Sequence, residues 1–505
     1  MALQRLSRIT SFAAAAFVLM LAIQSTASAV TTCESLAGLK LADTTITLAQ
    51  SVEAGKFVAA PAGRGGGANA FADLPAFCRV TATIKPSSDS DIKIEVWLPA
   101  TGWNGKFQGV GNGAWLGSIT TNALATGLRK GYATASTDTG HEGSSASFAL
   151  GHPEKLIDYG YRAVHEMTVK GKAITTAFYD NSAPKFSYFV GCSAGGKQAI
   201  KETQMFPADY DGVVAGSPGV NWSGRALQTV WVGQAVAQAP IPQPKFAAIN
   251  AAAIAACDAI DGVKDGVIEN PRVCKFDPQV LLCKAEDNNS CLTAPQVETA
   301  RKIYANVSNS RTKQSLVAGL YPGSEPGWNT MASAQPFAPG VDLFKYVVFN
   351  DPNWDFKTLN WDSDIDKTLK ASKDMDAMDT NLKPYFDRGG KIISYHGWTD
   401  PQISPGSTVD YYQSVLDKMG GAAKVQENYR LFMVPGMNHC GGGTGTDQFD
   451  MLTALENWVE KKQAPATITA SRANPVRTRP LCPYPQVATY KGSGSTDDAA
   501  NFVCK

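Results

Sequence analysis

A serine set between small residues, Gly191-Cys192-Ser193-Ala194-Gly195-Gly196, carries the first chemical signal in this 505-residue chain. It follows an apolar run at 186–190 that reads as a short buried strand, and it precedes 197–205, which reads as a helix. At such a turn the pattern G-x-S-x-G makes a nucleophile elbow, because the glycines let the backbone bend sharply enough to expose the serine Oγ. A serine nucleophile needs a base within hydrogen-bond reach and a carboxylate that fixes the tautomer of that base. Five histidines are available. His141 and His152 precede the elbow, and His165 lies inside a helical stretch. His396 follows a strand but comes ahead of the candidate acid. His439 sits in the loop Pro435-Gly436-Met437-Asn438-His439-Cys440, after the apolar run 429–434. Asp400 sits in Gly397-Trp398-Thr399-Asp400-Pro401, after the run 391–395. The order serine, acid, histidine, with acid and base in loops at strand ends, selects Ser193, Asp400 and His439. The chemistry is acyl transfer: Ser193 attacks a carbonyl, His439 moves the proton and Asp400 orients His439. The oxyanion calls for the Ala194 N–H and a second N–H from the glycine turn after 107–110, where Gly113 and Ala114 are equal candidates.

The elements that must position these groups are legible as periodicity. Runs at 80–84 and 92–98 read as paired strands, with Ile92, Ile94, Val96 and Leu98 alternating with polar or bulky partners. Short strands follow at 107–110 and 132–137, a helix at 161–179, the elbow, and a strand at 212–215. Strands alternating with helices predict an α/β fold with a mostly parallel sheet. The texture changes at 220: from there to 376 the chain is rich in Trp, Pro, Asn and Asp, with few clean strands and two cysteine pairs. This predicts an insertion that caps the sheet, leaving 30–219 and 377–505 as the catalytic domain and 220–376 as a lid domain. The stretch 60–67, with four glycines and one proline, reads as a loop.

Composition narrows the class. Lys plus Arg, 46, nearly balances Asp plus Glu, 45, so no basic stripe argues for nucleic acid. Residues 1–29 read as a signal peptide: Arg5 and Arg8 precede an apolar run at 11–23, and Ala27-Ser28-Ala29 suits cleavage before Val30. The expected product is a secreted or periplasmic protein with no membrane span after cleavage. Ten cysteines in an exported chain suggest five disulfides, and the absence of any C-x-x-C pair argues against zinc. Spacing suggests Cys33–Cys78, Cys257–Cys274, Cys283–Cys291 and Cys482–Cys504, which leaves Cys192 and Cys440 as a long-range pair. That bridge would tie the residue before the serine to the residue after the histidine, within about 6 Å Cα to Cα.

The arrangement Cys-Ser, then Asp, then His-Cys resembles the signature of the tannase and feruloyl esterase family. So do Trp103-Asn104-Gly105-Lys106-Phe107, Gly111-Asn112-Gly113, the loop from Pro435 through Cys440 to Gly442, and Arg479-Pro480-Leu481-Cys482-Pro483-Tyr484-Pro485. The resemblance spans about Cys33 to Cys504. It implies an α/β-hydrolase core with a large inserted lid, the same cysteine pairing, and hydrolysis of esters of phenolic or aromatic acids. Between Cys257 and Val267, three carboxylates in eight residues, interspersed with glycines, suit a hard cation with oxygen ligands. The stretch resembles the family's calcium loop, with Asp258, Asp261 and Asp265 as side-chain ligands and Val263 and Val267 as carbonyl ligands. Ca2+ would be structural, and no organic cofactor is expected. The expected partner is a small aromatic ester, with oligomeric state left open. The family also contains terephthalate monoester hydrolases, whose substrate carries a free carboxylate. Such a group would favour a lid arginine, and Arg225, Arg272, Arg301 and Arg311 are the candidates. Rival readings are a serine peptidase on the same fold and a non-catalytic secreted binding protein that keeps the shell.

Overall fold

The computed structural model describes residues 31–59 and 70–505; the expected signal peptide and the glycine-rich stretch 60–67 lie outside the described residues. Nine strands form the central sheet: β1 (Thr44–Val52), β2 (Phe77–Ile84), β3 (Ile92–Pro99), β4 (Lys106–Val110), β5 (Ala133–Thr137), β6 (Phe186–Cys192), β7 (Gly212–Gly216), β8 (Lys391–Gly397) and β9 (Tyr429–Val434). Their order is β1-β2-β3-β5-β4-β6-β7-β8-β9. The pairs from β1 to β5 across β2 and β3 are antiparallel, and every pair from β5 to β9 is parallel. A parallel strand is covered on both faces, which is why β5 and β7 are buried along their whole length.

Alternation along the strands sorts residues between two cores. Val213, Ala215, Ile392 and Leu431 face one layer, which holds α1 (Ala163–Phe178) through Val164, Met167 and Ile174, and α2 (Ala194–Met205) through Ala199 and Ile200. Val214, Ile393 and Phe432 face the other, against Leu455 and Trp458 of a helix at Met451–Lys461. The helix expected from residue 161 begins as an α-helix at Ala163 and is preceded by one π-helical turn, Asp158–Arg162. The Arg162–Asp158 ion pair at 2.6 Å spans that turn, so the helical path starts earlier than apolar spacing alone indicates.

Between β7 and β8 the chain leaves the sheet. This excursion contains α3 (Trp222–Gln238), α4 (Pro244–Cys257) and α5 (Ala294–Tyr304), with only a two-stranded ribbon of Val307–Ser308 and Ser315–Val317. Val236, Phe246, Ile249, Val297, Ile303 and Trp328 give it a core of its own. A second cluster joins Leu227, Val230 and Phe344 of the excursion to Trp115, Tyr159 and Ala194 of the sheet layer. The architecture is an α/β-hydrolase core with a helical, lid-like insertion.

All five disulfides form as spacing suggested: Cys33–Cys78, Cys192–Cys440, Cys257–Cys274, Cys283–Cys291 and Cys482–Cys504. Their Cα separations run from 4.9 to 6.0 Å, inside the range an unstrained bridge allows.

Candidate active site

Parallel register brings the carboxyl ends of five strands to one edge. Val110 is paired to Val190, Cys192 to Gly216, Gly216 to Tyr395, and Gly397 to Val434. The loops that leave this edge carry Gly113 and Ala114, Ser193, Ser217, Asp400 and His439. Sequence-distant groups meet there because parallel strands all point their carboxyl ends the same way.

Ser193 sits between β6 and α2 with φ 65° and ψ −123°. A non-glycine residue pays for a positive φ in strain, and the neighbouring backbone holds it there. The Ser193 N–H donates to the Gly216 carbonyl at 2.9 Å, and the Ser193 carbonyl accepts from Lys197 and Gly219. A Cβ on Gly191 would lie 2.4 Å from the Gly195 backbone, so the elbow closes only with glycine there. Cys192 is bonded to Cys440, with Cα atoms 6.0 Å apart. Ser193 Oγ makes no hydrogen bond among the described residues; such bonds tighten when substrate binds.

Asp400 is fully buried and has four donors. Its Oδ2 accepts from His439 Nδ1 at 2.6 Å and from His396 Nε2 at 3.0 Å, and its Oδ1 from the N–H groups of Gln402 (2.8 Å) and Ile403 (3.0 Å). Burial pushes the carboxyl up, but His439 and His396 outweigh it and hold Asp400 well below the usual carboxylate range. Because a carboxylate only accepts, His439 carries its proton on Nδ1 and keeps Nε2 as the basic nitrogen. By the same logic His396 protonates Nε2 and accepts from Thr408 Oγ1 at 2.7 Å. Chain order excludes His396 as the base and says nothing of its contact with Asp400. The available signal was its place four residues ahead of Asp400, at the end of a buried strand.

The turn after β4 is pinned on several sides. Asn112 N–H donates to Gln198 Oε1 at 3.0 Å, and Asn112 Nδ2 donates to the carbonyls of Ser118 and Thr137. His141 bonds the Trp115 carbonyl at 2.9 Å, and Tyr159 Oη donates to the Ala114 carbonyl. Ala114 has a φ of 38°. Among the described residues the N–H groups of Gly113, Ala114 and Ala194 donate to no other group. The two candidates for the second donor therefore both stay available.

The four candidate arginines separate cleanly. Arg272 bonds Tyr484 Oη, Arg301 pairs with Asp277 and Glu298, and Arg311 pairs with Asp366. Arg225 alone is buried, on the first turn of α3, and its Nε donates to the Gln402 carbonyl at 3.1 Å.

The acidic loop is folded by its own carboxylates. Asp258 accepts from the N–H groups of Asp265 and Gly266, Asp261 from Val263, and Asp265 from Val267. Burial, with the negative charges of Asp265 and Asp258 adding to it against the Val263 N–H, pushes Asp261 above its usual range. The donor types suit a hard cation, but the carboxylate oxygens of Asp258, Asp261 and Asp265 do not converge within 4.8 Å of one another. Asp265 also pairs with Arg479 at 2.5 Å and Arg477 at 3.1 Å. Among the described residues, the triads whose ligand atoms converge within 4.8 Å are His165, Glu202 and Asp209, and Cys283, Asp287 and Cys291. The second is closed to metal because its cysteines are bonded to each other.

A mostly parallel sheet, a strained serine elbow, and a histidine on a buried carboxylate at the same edge define an α/β-hydrolase. The family model of tannase and feruloyl esterase matches residues 78–505, and the chain belongs to that family of ester hydrolases. It is 39% identical to an uncharacterised esterase of Xanthomonas campestris pv. campestris, over 96% of this chain and 92% of that protein. It is 35% identical to a mono(2-hydroxyethyl) terephthalate hydrolase of Piscinibacter sakaiensis, over 86% of this chain and 85% of that one. The crystal structure of feruloyl esterase B from Aspergillus oryzae superposes with a TM-score of 0.86 at 31% identity, covering 94% of this chain and 99% of that one.

Proposed function

We propose that this protein is an exported serine carboxylic-ester hydrolase that cleaves esters of phenolic or aromatic acids through an acyl-enzyme on Ser193. Ser193 attacks the ester carbonyl as His439 takes its proton; His439 then returns the proton to the leaving alcohol, and water repeats the sequence to release the acid. Asp400 orients His439 and stabilises its charged form. The oxyanion is held by the Ala194 N–H and by that of Gly113 or Ala114, each donor supplying about 3–4 kcal/mol. One observation carries this reading: His439 is bonded to Asp400 at 2.6 Å while its neighbour Cys440 is bonded to the residue before Ser193. Residues 30–219 and 377–505 form the catalytic domain in this reading, with 220–376 as the lid and 1–29 as a signal peptide removed on export to the periplasm or medium. The loop of Asp258, Asp261, Val263, Asp265 and Val267 takes a structural Ca2+.

Ser193→Ala should abolish hydrolysis of methyl ferulate, methyl gallate and chlorogenate while leaving the circular dichroism spectrum intact; full turnover in that variant would sink the assignment. Labelling of Ser193 by a fluorophosphonate separates the enzyme from a non-catalytic binding protein, and matched amides separate it from a peptidase. A terephthalate-type monoester is the second reading, supported by the 35% identity to a hydrolase of that kind.

A further inference from the structure

Away from the ester site, three side chains from two helices and a loop meet where α1 packs against the end of α2. His165 lies on the first turn of α1, Glu202 on the last turn of α2, and Asp209 in the turn that leads from α2 into β7. His165 Nδ1 is 2.7 Å from Asp209 Oδ2. One nitrogen of His165 and one carboxylate oxygen each of Glu202 and Asp209 all lie within 4.8 Å of one another. The ring of Phe206 stacks on His165 with centroids 3.8 Å apart, which fixes the imidazole plane. The Asp209 N–H donates to the Phe206 carbonyl at 3.0 Å and Lys172 Nζ donates to the Asp209 carbonyl, so the Asp209 backbone is held from both sides.

Glu202 is the member without a structural explanation. It is 2% exposed, and its Oε2 is sealed from solvent with no hydrogen-bond partner among the described residues. Lys172 is close by, but its ammonium is bonded to the Asp209 backbone rather than to either carboxylate. Two carboxylates side by side in a buried place repel, and without a counter-ion one of them must take a proton. Burial first, and then the Asp209 charge, pushes the Glu202 carboxyl well above its usual range, with Lys172 opposing. A divalent cation removes both costs, because it neutralises the pair and gives the sealed oxygen a partner.

We propose that His165, Glu202 and Asp209 form a zinc site that clamps α1 to the end of α2. An imidazole with two carboxylates suits Zn2+, whereas Ca2+ and Mg2+ take oxygen ligands. Around a tetrahedral ion with bonds of about 2.0–2.2 Å, ligand atoms stand roughly 3.3 Å apart. The His165–Asp209 contact therefore has to widen by only about 0.6 Å as the ion replaces the Nδ1 proton. Three protein ligands leave a fourth position, and the His165 side chain is 29% exposed, which gives water access to it. Glu202 lies nine residues beyond Ser193 on α2, roughly 13 Å by helical rise, so the ion takes no part in chemistry at Ser193.

The test uses the full exported chain without a tag, stripped by chelator and held in excess Ca2+ so that the acidic loop does not compete. Calorimetry should find one Zn2+ bound per chain. His165→Gln and Glu202→Gln should each weaken that binding at least about 10-fold, the loss that follows even from removing a group that merely supports a ligand. Asp261→Asn should leave it unchanged. No Zn2+ bound by wild type, or undiminished affinity in both variants, would overturn the site and leave Glu202 sharing a proton with Asp209. If neither variant folds, Cu2+ with ascorbate on wild type serves instead, since Cu2+ binds such ligands more tightly than Zn2+ and oxidises the residues that hold it. Peptide mass spectrometry should then find His165 oxidised ahead of the more exposed His152; His165 modified no sooner than His152 overturns the proposal.

Discussion

At the residue scale the site turns on how many donors meet one carboxylate. Asp400 serves two histidines, and they are not equivalent. His439 keeps a basic nitrogen for chemistry, while both nitrogens of His396 are spent on Asp400 and Thr408. Asp400→Asn should therefore cut kcat by roughly 10³- to 10⁴-fold, since an amide no longer selects the His439 tautomer. His396→Gln keeps one hydrogen bond, and should lower kcat with little change in KM. An unchanged kcat in His396→Gln would show that Ile403, Gln402 and His439 suffice to hold Asp400. The sign of the linked pH effect follows from the depressed Asp400 group. It stabilises the fold above the unfolded carboxylate value of about 3.9, and that contribution is lost as pH falls through the folded value.

At the scale of elements, α2 and the bridge across the site carry the consequences of the elbow. Lys197 is fully buried one turn after Ser193, with the Gly160 carbonyl at 3.1 Å and the rings of Tyr159 and Trp222 nearby. Burial, aided by Lys201 and opposed by Asp376, draws its ammonium down to about 7. The unfolded chain binds that proton up to about pH 10.4, so between about 7 and 10.4 stability rises with pH. Thermal melts should show this slope flattened in Lys197→Met, and the variant should be more stable at pH 7; identical slopes would mean the ammonium is paired. The Cys192–Cys440 bridge closes a loop of 248 residues, worth about 5 kcal/mol in the chain-entropy estimate. Its reduction should lower turnover more than substrate binding. Finding Cys192 and Cys440 as free thiols in fully active protein would remove its role as a tether.

For the whole molecule, the acidic loop links the excursion to the carboxyl-terminal part of the chain. Asp265 on that loop pairs with Arg477 and Arg479, both on the strand Val476–Leu481. A cation bound there would stabilise the folded state by mass action, about 2.7 kcal/mol at a concentration 100 times Kd. Chelation should lower the melting temperature, and added Ca2+ should restore it in wild type but not in Asp261→Asn. A melting temperature indifferent to chelator would count against the calcium loop.

The sequence by itself determined eight of the nine sheet strands, β1 excepted, and the order of the chemistry. Strand alternation, the glycines around Ser193, and the turn-rich loops at Asp400 and His439 are local properties, set by sterics and periodicity within a few residues. Cysteine pairing was legible too, because four bridges are short-range and exclusion leaves the fifth. Tertiary structure alone decided what depends on burial and on contacts across hundreds of residues. It brought His396 onto Asp400, separated Arg225 from three surface arginines that look alike in sequence, and turned Asp265 toward Arg477 and Arg479. The cost of an unpaired charge is a property of its surroundings, and only the folded chain supplies the surroundings.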